Sequence, residues 1–290
     1  MEILKVENLL KKYPKFTLDN VSFSLRQGEI MGFIGRNGAG KTTTLKAIMH
    51  LVRLDGGSIE AFGKEFTADE LTNRKRIAFS LGGVNFFPFK TVEKLTEVTA
   101  RFYPTWDQSK FEHYLKVFEI DQKKKIKELS EGMKTKYSLA IALSHNAELL
   151  ILDEPTSGLD PVSRDEILYI FKQLVSDGKR SVLFSTHITS DLEKCADTIT
   201  YIRNGKLVVA NMTKEEFISA YKLVEIETDL FDDKIKDFLI AFRKEKGLVI
   251  GLIETKKVEL LPTFVKIKSP DLENIMVFLE WEANHEKFNL

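Results

Sequence analysis

GEIMGFIGRNGAGKTTTLKAIMHLV, Gly28 to Val52, decides the architecture of this chain. It opens on a short apolar run of strand character and passes through a glycine-rich loop. It then continues as KTTTLKAIMHLV, with apolar residues at helical spacing. Within it GRNGAGKT, Gly35 to Thr42, fits the pattern G-x-x-x-x-G-K-[ST]. Glycines in such a loop let successive backbone N–H groups turn inward around phosphate oxygens. The following helix offers its positive end to the same anion. That spacing aims Lys41 at the β and γ phosphates of a nucleotide and the Thr42 hydroxyl at magnesium. An ordinary glycine turn would need neither the strand before the loop nor the helix after it.

Working outward, TLDNVSFSL and GSIEAFG read as further strands of the first third. AELLILDEP and RSVLFSTH are unbroken apolar runs of the kind expected for strands buried on both faces. Strands alternating with helical stretches predict an α/β fold, a parallel sheet covered on both sides. Residues 93–147 lack long β-branched runs and read as a helical subdomain set between the glycine loop and the LLILDE strand. That strand ends in Asp153 and Glu154, and ligand sites in open α/β sheets lie beyond such carboxyl ends. Asp153 suits magnesium, a hard ion that prefers oxygen ligands. Glu154, one residue on, can polarise a water for attack on the γ-phosphate. A solvated acidic turn is a poor alternative directly after four apolar residues.

The 290 residues fit one large domain or a domain with an appendage, and a 43% hydrophobic content supports a full core. Lys plus Arg and Asp plus Glu stand at 43 each, a balance that disfavours a general nucleic-acid binder. Cys195 is the one cysteine, which excludes an intrachain disulfide and suits a reducing compartment; in the helix-like SDLEKCADTI it reads as a small buried hydrophobe. No stretch resembles a secretory leader and none approaches 18 apolar residues, so another chain would have to bring this one to a membrane. From residue 221 the texture changes. KLVEIETD, GLVIGLIET and TFVKIKS look like strands, DDKIKDFLIAFRKEK and SPDLENIMVFLEW like helices. The last is expected to start with Ser269 as N-cap, Pro270 in the first turn and Asp271 complementing the dipole. Leu272, Ile275, Met276 and Leu279 mark its apolar face. The expected organisation is residues 1–220 as the nucleotide-binding domain and 221–290 as a small α+β accessory domain.

The order of parts over residues 1–220 resembles the nucleotide-binding subunit of an ATP-binding cassette (ABC) transporter: the phosphate loop, LSEGM, LLILDE, SGLD and STH. The resemblance implies a P-loop NTPase fold of ABC type with β-rich and helical subdomains, ATP and Mg2+ as cofactors, and ATP hydrolysis coupled to transport. It implies nucleotide contacts from Asn37, Gly38, Ala39, Gly40, Lys41, Thr42 and Thr43, with Thr42 and Asp153 on the metal. Two ATPs would be sandwiched between two subunits, each gripped in trans by Ser130 and Gly132. Asp160 of SGLDP would join the two sites, His187 would contact the γ-phosphate, and Tyr13 of KKYPKF would stack on adenine. An integral membrane permease and a second, identical or different, ABC ATPase are the implied partners, at the cytoplasmic face of the membrane, with no nucleic acid.

Two positions depart from the family spelling. LSEGM stands where the family reads Leu-Ser-Gly-Gly-Gln. The trans grip needs a hydroxyl, an N–H free of side chain and a helix N-terminus, which Ser130, Gly132 and MKTKYSLAIALS supply. The Glu131 carboxylate must then point away or pair with a cation, Lys134 or Lys136. Gly82 stands where the family carries a glutamine that senses magnesium and the attacking water; Asn85 is the nearby candidate to replace it. NFFPF, residues 85–89, is either core packing or a docking surface for a short permease helix. His50, His113, His145 and His285 match no motif and read as surface or structural residues. The LSEGM spelling and the appendage resemble the bacterial drug and antibiotic-peptide exporter branch, staphylococcal exporters of phenol-soluble modulins among them. The alternative is a soluble ABC-type ATPase of DNA repair or translation, but the long coiled coil or second cassette of those proteins is missing.

Overall fold

The computed structural model describes residues 1–81 and 87–282. The chain forms two compact units, Met1–Asn211 and Met212–Leu290. In the first, β1 (Glu2–Tyr13) and β2 (Phe16–Arg26) pair antiparallel across a two-residue connection, with Tyr13 opposite Phe16. The central strand β3 (Ile30–Ile34) follows, then α1 (Lys41–Ile48). Strands β4 (Gly56–Ala61) and β5 (Lys64–Glu65) return to the antiparallel sheet, whose order is β2-β1-β4-β5. Next come α2 (Glu70–Arg76), β6 (Ile77–Leu81) and the helical stretch of α3 (Val92–Ala100), α4 (Gln108–Val117) and α5 (Glu131–Ser144).

The chain re-enters the sheet at β7 (Leu149–Asp153) and continues through α6 (Pro161–Val175), β8 (Ser181–Thr186), α7 (Thr189–Cys195), β9 (Thr198–Arg203) and β10 (Lys206–Thr213). The six-stranded order is β10-β9-β3-β8-β7-β6, and β6 through β9 with β3 run parallel. Every residue of β3, β7 and β8 is buried. Strands covered on both faces leave no polar side to alternate with, hence the continuous apolar runs. One core holds the two sheets and α1 together, with Leu4, Val6 and Leu18 packed with Phe33, Leu45, Ile151 and Leu183.

Each helix of the helical stretch starts on a side-chain cap. Thr91, Asp107 and Ser130 accept from the backbone N–H three residues on, which satisfies a donor the helix itself leaves orphaned. Inside it the Tyr137 hydroxyl bonds the Thr96 hydroxyl at 2.8 Å and Phe111 meets the Tyr137 ring edge-on.

The second unit holds α8 (Lys214–Ser219), β11 (Tyr221–Glu227), α9 (Asp233–Lys236), β12 (Ala241–Glu245), β13 (Leu248–Glu254), β14 (Lys266–Lys268) and α10 (Leu272–Glu282). Its antiparallel sheet has the order β12-β13-β11-β14. Two expectations need correction here. The stretch DDKIKDFLIAFRKEK is not one helix: only Asp233–Lys236 is helical, and Ala241–Glu245 is a strand. Lys246 and Gly247 both take positive φ, 46° and 83°, in a two-residue turn that pairs Glu245 with Leu248. Such a turn matches the twist of a hairpin, and it overrides the helical propensity of Lys and Glu. Helix α10 is also capped by Asp271 rather than Ser269, because the Asp271 carboxylate accepts from the Asn274 N–H at 2.6 Å and its carbonyl from Ile275. The compact unit begins at Met212, ahead of the texture change at 221, because α8 packs on β11 with Phe217 edge-on to Tyr221.

Candidate functional site

Gly40 stands at the N-cap of α1 with φ of +118°, and Gly38 precedes it at +84°. A side chain at Gly40 would be strained, and its Cβ would lie 2.8 Å from Leu18 and 2.9 Å from Phe16. The loop is pinned from behind, where the Ala39 carbonyl accepts from the Gly205 N–H at 2.9 Å and the Thr44 hydroxyl donates to the Gly40 carbonyl at 2.9 Å. Arg36, Asn37 and Gly38 remain exposed at its crest, while Ala39 and Gly40 are buried. The first turn of α1 contains no acidic residue, so nothing of its own offsets the positive end of the helix.

Lys41 is 5% exposed, and its ammonium folds back over the loop. It donates to the Gly35 carbonyl at 2.7 Å and to the Arg36 carbonyl at 3.3 Å. It also lies 3.0 Å from Glu154 Oε1, an ion pair off the axis of a hydrogen bond, so charge rather than direction holds it. In the sheet β8 runs between β3 and β7, which sets the ends of β7 and β8 beside the loop that follows β3. The Asp153 carboxylate accepts from the Thr42 hydroxyl at 2.7 Å and from the Ser185 hydroxyl at 2.5 Å. Ser185 in turn accepts from the Glu154 N–H at 2.9 Å.

Glu154 takes φ of +48°, a left-handed conformation that costs a side-chain-bearing residue about 1–2 kcal/mol. The two bonds from its N–H to Ser185 hold it there, and the turn carries its carboxylate onto Lys41 and His187. His187 Nδ1 lies 2.8 Å from Glu154 Oε2. With Nδ1–H donating to the carboxylate, Nε2 is the ring nitrogen left for another partner.

The geometry thus brings together Lys41, Thr42, Asp153, Glu154 and His187, from three separate stretches of sequence. Thr43 follows on α1, half-buried. The other residues singled out from sequence lie elsewhere in the unit. Ser130 caps α5 through Met133 N–H at 3.2 Å, and Gly132 is buried two residues further in. Asp160 caps α6, accepting from the N–H groups of Val162 and Ser163. Hydrogen bonds from the Ser163 hydroxyl and backbone hold its carboxyl below the usual range. These two helix starts are neighbours: a Cβ on Gly132 would touch Ser163 at 3.4 Å, and Lys136 pairs with Glu166 at 2.5 Å. The Thr135 hydroxyl donates to the Pro155 carbonyl at 3.2 Å, tying α5 to the segment after Glu154. Glu131 pairs with Lys134 at 2.6 Å. Tyr13 is exposed at the end of β1, with the Lys11 ammonium 5.3 Å from its ring centre.

Gly82, Asn85 and His285 lie outside the described residues, as does Phe86 of NFFPF; Phe87 and Phe89 are exposed. His50 stacks on Phe66, and His145 is buried against Tyr103 with ring centres 3.9 Å apart. Two residues now beside the site had not been singled out. Ser185 and the buried Asp191 bond to Asp153 and to Thr156, respectively. Ser185 sits in the polar end of SVLFST and Asp191 in the largely polar helix TSDLEKC, so neither stood out in the sequence, and residue type alone names no partner.

The donor set fits magnesium and a nucleotide. The Thr42 and Asp153 oxygens are hard ligands for an ion that keeps several waters. The loop N–H groups, Lys41 and the uncompensated start of α1 suit phosphate.

Comparison with known proteins bears on this geometry. Residues 18–157 match the ABC transporter family. The bacitracin transport ATP-binding protein BcrA of Bacillus licheniformis is 33% identical over 213 residues, 71% of this chain and 68% of that protein. This chain belongs to the ATP-binding subunits of ABC transporters. Another relative of this ABC subunit, the linearmycin resistance ATP-binding protein LnrL of Bacillus subtilis (strain 168), is 29% identical over 297 residues, 99% of this chain and 92% of that one. A solved structure described as the ATP-binding subunit of an ABC transporter superposes with a TM-score of 0.65 at 28% identity, covering 73% of this chain and 90% of that one. ABC ATP-binding domains hydrolyse ATP to power transport; they dimerise and act with a membrane permease. Among the described residues no helix of this ABC subunit is long and apolar enough to cross a membrane.

Proposed function

We propose that this chain powers an ABC exporter of peptides, drugs or other amphipathic compounds through ATP-driven dimer closure and hydrolysis. The observation that carries the reading is the convergence of Lys41, Asp153, Glu154 and His187 on the phosphate loop. Asn37 to Thr43 cradle the phosphates, and Lys41 exchanges its loop carbonyls and Glu154 for β and γ oxygens. Thr42 and Asp153 hold magnesium, which draws negative charge off the phosphates when bound. Glu154 takes a proton from the attacking water as the water oxygen bonds to the γ-phosphorus. The bond from that phosphorus to the β,γ-bridging oxygen breaks, and ADP and phosphate leave. His187, oriented by Glu154 through Nδ1, presents its other ring nitrogen to the γ-phosphate.

Ser130 and Gly132 grip the nucleotide of a second subunit, Asp160 joins the two sites, and Tyr13 stacks on adenine. In this reading the chain sits at the cytoplasmic face of the membrane, carried there by a permease, as a homodimer or paired with a different ABC ATPase. The units Met1–Asn211 and Met212–Leu290 serve as nucleotide-binding and accessory domains. The names of BcrA and LnrL support antibiotic-type cargo, and amphipathic peptides such as phenol-soluble modulins are the narrowest substrate class proposed. Neither relative is named for DNA repair or translation, which leaves that alternative without support.

The test is the ATPase rate of the purified chain against its concentration, with Lys41→Ala as blank. A rate rising with the square of concentration is expected for a self-sufficient homodimer. Activity only on mixing with a second ATPase or permease would select the heteromeric form. A rate equal to that of the blank in both settings would refute the reading.

A further inference from the structure

Behind the catalytic cluster lies a side chain that no step above uses. Asp191, in α7, is fully buried. Its Oδ2 accepts from the Thr156 hydroxyl at 2.6 Å and from the Thr186 hydroxyl at 3.5 Å. Its Oδ1 has no hydrogen-bond partner among the described residues, and the nearest cation, Arg164 Nε of α6, is 3.9 Å away.

A carboxylate taken wholly out of water with its nearest countercharge 3.9 Å away is costly, which calls for a reason beyond packing. Burial pushes its carboxyl above the usual range, and the Thr156 hydroxyl, Arg164, the Thr186 hydroxyl and Lys194 draw it back. What Asp191 touches supplies the reason. Thr156 follows Glu154 by two residues, and Thr186 directly precedes His187. The Thr186 hydroxyl also accepts from the Ile188 N–H at 3.0 Å, so both neighbours of His187 are held from this one point. Arg164 lies one turn into α6, the helix capped by Asp160.

We propose that Asp191 is a positioning residue for ATP hydrolysis, a buried clasp that fixes the Glu154 segment and the His187 segment to each other from behind. The 2.8 Å contact between Glu154 and His187 is made by two side chains on separate loops, one half-buried and one exposed. The Glu154 N–H is tied to Ser185 on one side, and the Asp191 carboxylate joins the Thr156 and Thr186 hydroxyls on the other, so it completes the link between the segments that carry the two side chains. The proposal rests on the assignment of Glu154 as base, and its test separates the two.

Thr156→Val removes one arm at nearly constant volume, and Thr156→Ser restores the hydroxyl. The expected result for Thr156→Val is kcat lower by about tenfold to a hundredfold, in line with an ångström-scale misplacement of a catalytic group, with KM for ATP unchanged because the phosphate loop is untouched. Thr156→Ser should recover most of the rate. Glu154→Gln run alongside tests the base itself: if it hydrolyses normally, the base assignment fails. If Glu154→Gln is inactive while Thr156→Val is as fast as the wild type, the clasp fails. A second readout needs no turnover. Amide hydrogen exchange in Thr156→Val should rise in the peptide spanning 186–191 as well as in the one spanning 154–158. A rise confined to 154–158, or kcat and KM falling in step with melting temperature, would overturn the clasp.

Discussion

Glu154→Gln is the sharpest probe of the catalytic assignment, because the substitution changes charge and basicity at almost constant shape. The backbone features that place the residue survive: its N–H still bonds to Ser185, and φ stays near +48°. Two things are lost, an oxygen that can take a proton and the negative charge 3.0 Å from Lys41. Removing a general base lowers turnover by about 10²–10⁴-fold, which is about 3–5 kcal/mol of barrier. The ground-state effect is smaller. The Lys41 ammonium keeps the Gly35 carbonyl at 2.7 Å and the Arg36 carbonyl at 3.3 Å, so losing the third partner costs the nucleotide-free fold about 1–2 kcal/mol. Phosphate oxygens compensate Lys41 once ATP is bound, so KM should move by less than about threefold. Single-turnover phosphate release at saturating Mg-ATP, with size-exclusion chromatography of the same mixture, measures both. The expected outcome is near-zero release and an ATP-trapped dimer. Turnover within about threefold of the wild type would remove Glu154 from the role of base. So would a loss of ATP binding as large as the loss of turnover.

Ser130→Ala deletes an N-cap hydroxyl as well as a proposed trans ligand, so the melting temperature should fall modestly, by a cap's worth of about 1 kcal/mol. ATP-driven dimerisation should weaken by more than nucleotide binding to the monomer, and equal losses would contradict the trans assignment. His145 supplies a pH dependence. Burial holds it down from the ordinary 6.5 to about 4, so it stays neutral in the fold and takes up a proton only on unfolding across that window. The unfolded state then binds more protons, and stability must decline as pH falls from 6.5 toward 4, by up to about 3 kcal/mol, then level off. Replacing His145 with Gln should flatten the melting temperature across that window; an unchanged slope would assign the decline to other groups.

How much was legible in the sequence depended on whether the determinant was local. The glycine loop, the LLILDE strand and the helical segment are written in consecutive residues whose spacing carries the physics: φ freedom, a missing polar face, capping side chains. Glu131 shows the limit of that reading. Its need for a cation followed from charge alone, but the choice between Lys134 and Lys136 did not, because Lys136 is drawn off by Glu166 thirty residues away. The stretch after Asp233 misled in the same way. Its Lys and Glu content favours a helix, and only the positive-φ turn at Lys246 and Gly247 with the partner strand beyond it makes Ala241–Glu245 a strand.

By itself, then, the sequence determined the α/β class, the phosphate loop and the acidic strand end, since each rests on contiguous residues whose chemistry follows from type and spacing, while the order of the separate motifs carried the family resemblance. Tertiary structure alone decided which of the distant polar residues meet. The order of strands sets β8 between the loop strand and the acidic strand, so Ser185 bridges Asp153 and Glu154 and His187 reaches Glu154. It also buries Asp191 beneath both loops. Contacts across more than thirty residues are fixed by how sheet and helices pack, and no local pattern encodes which partner a buried carboxylate will find.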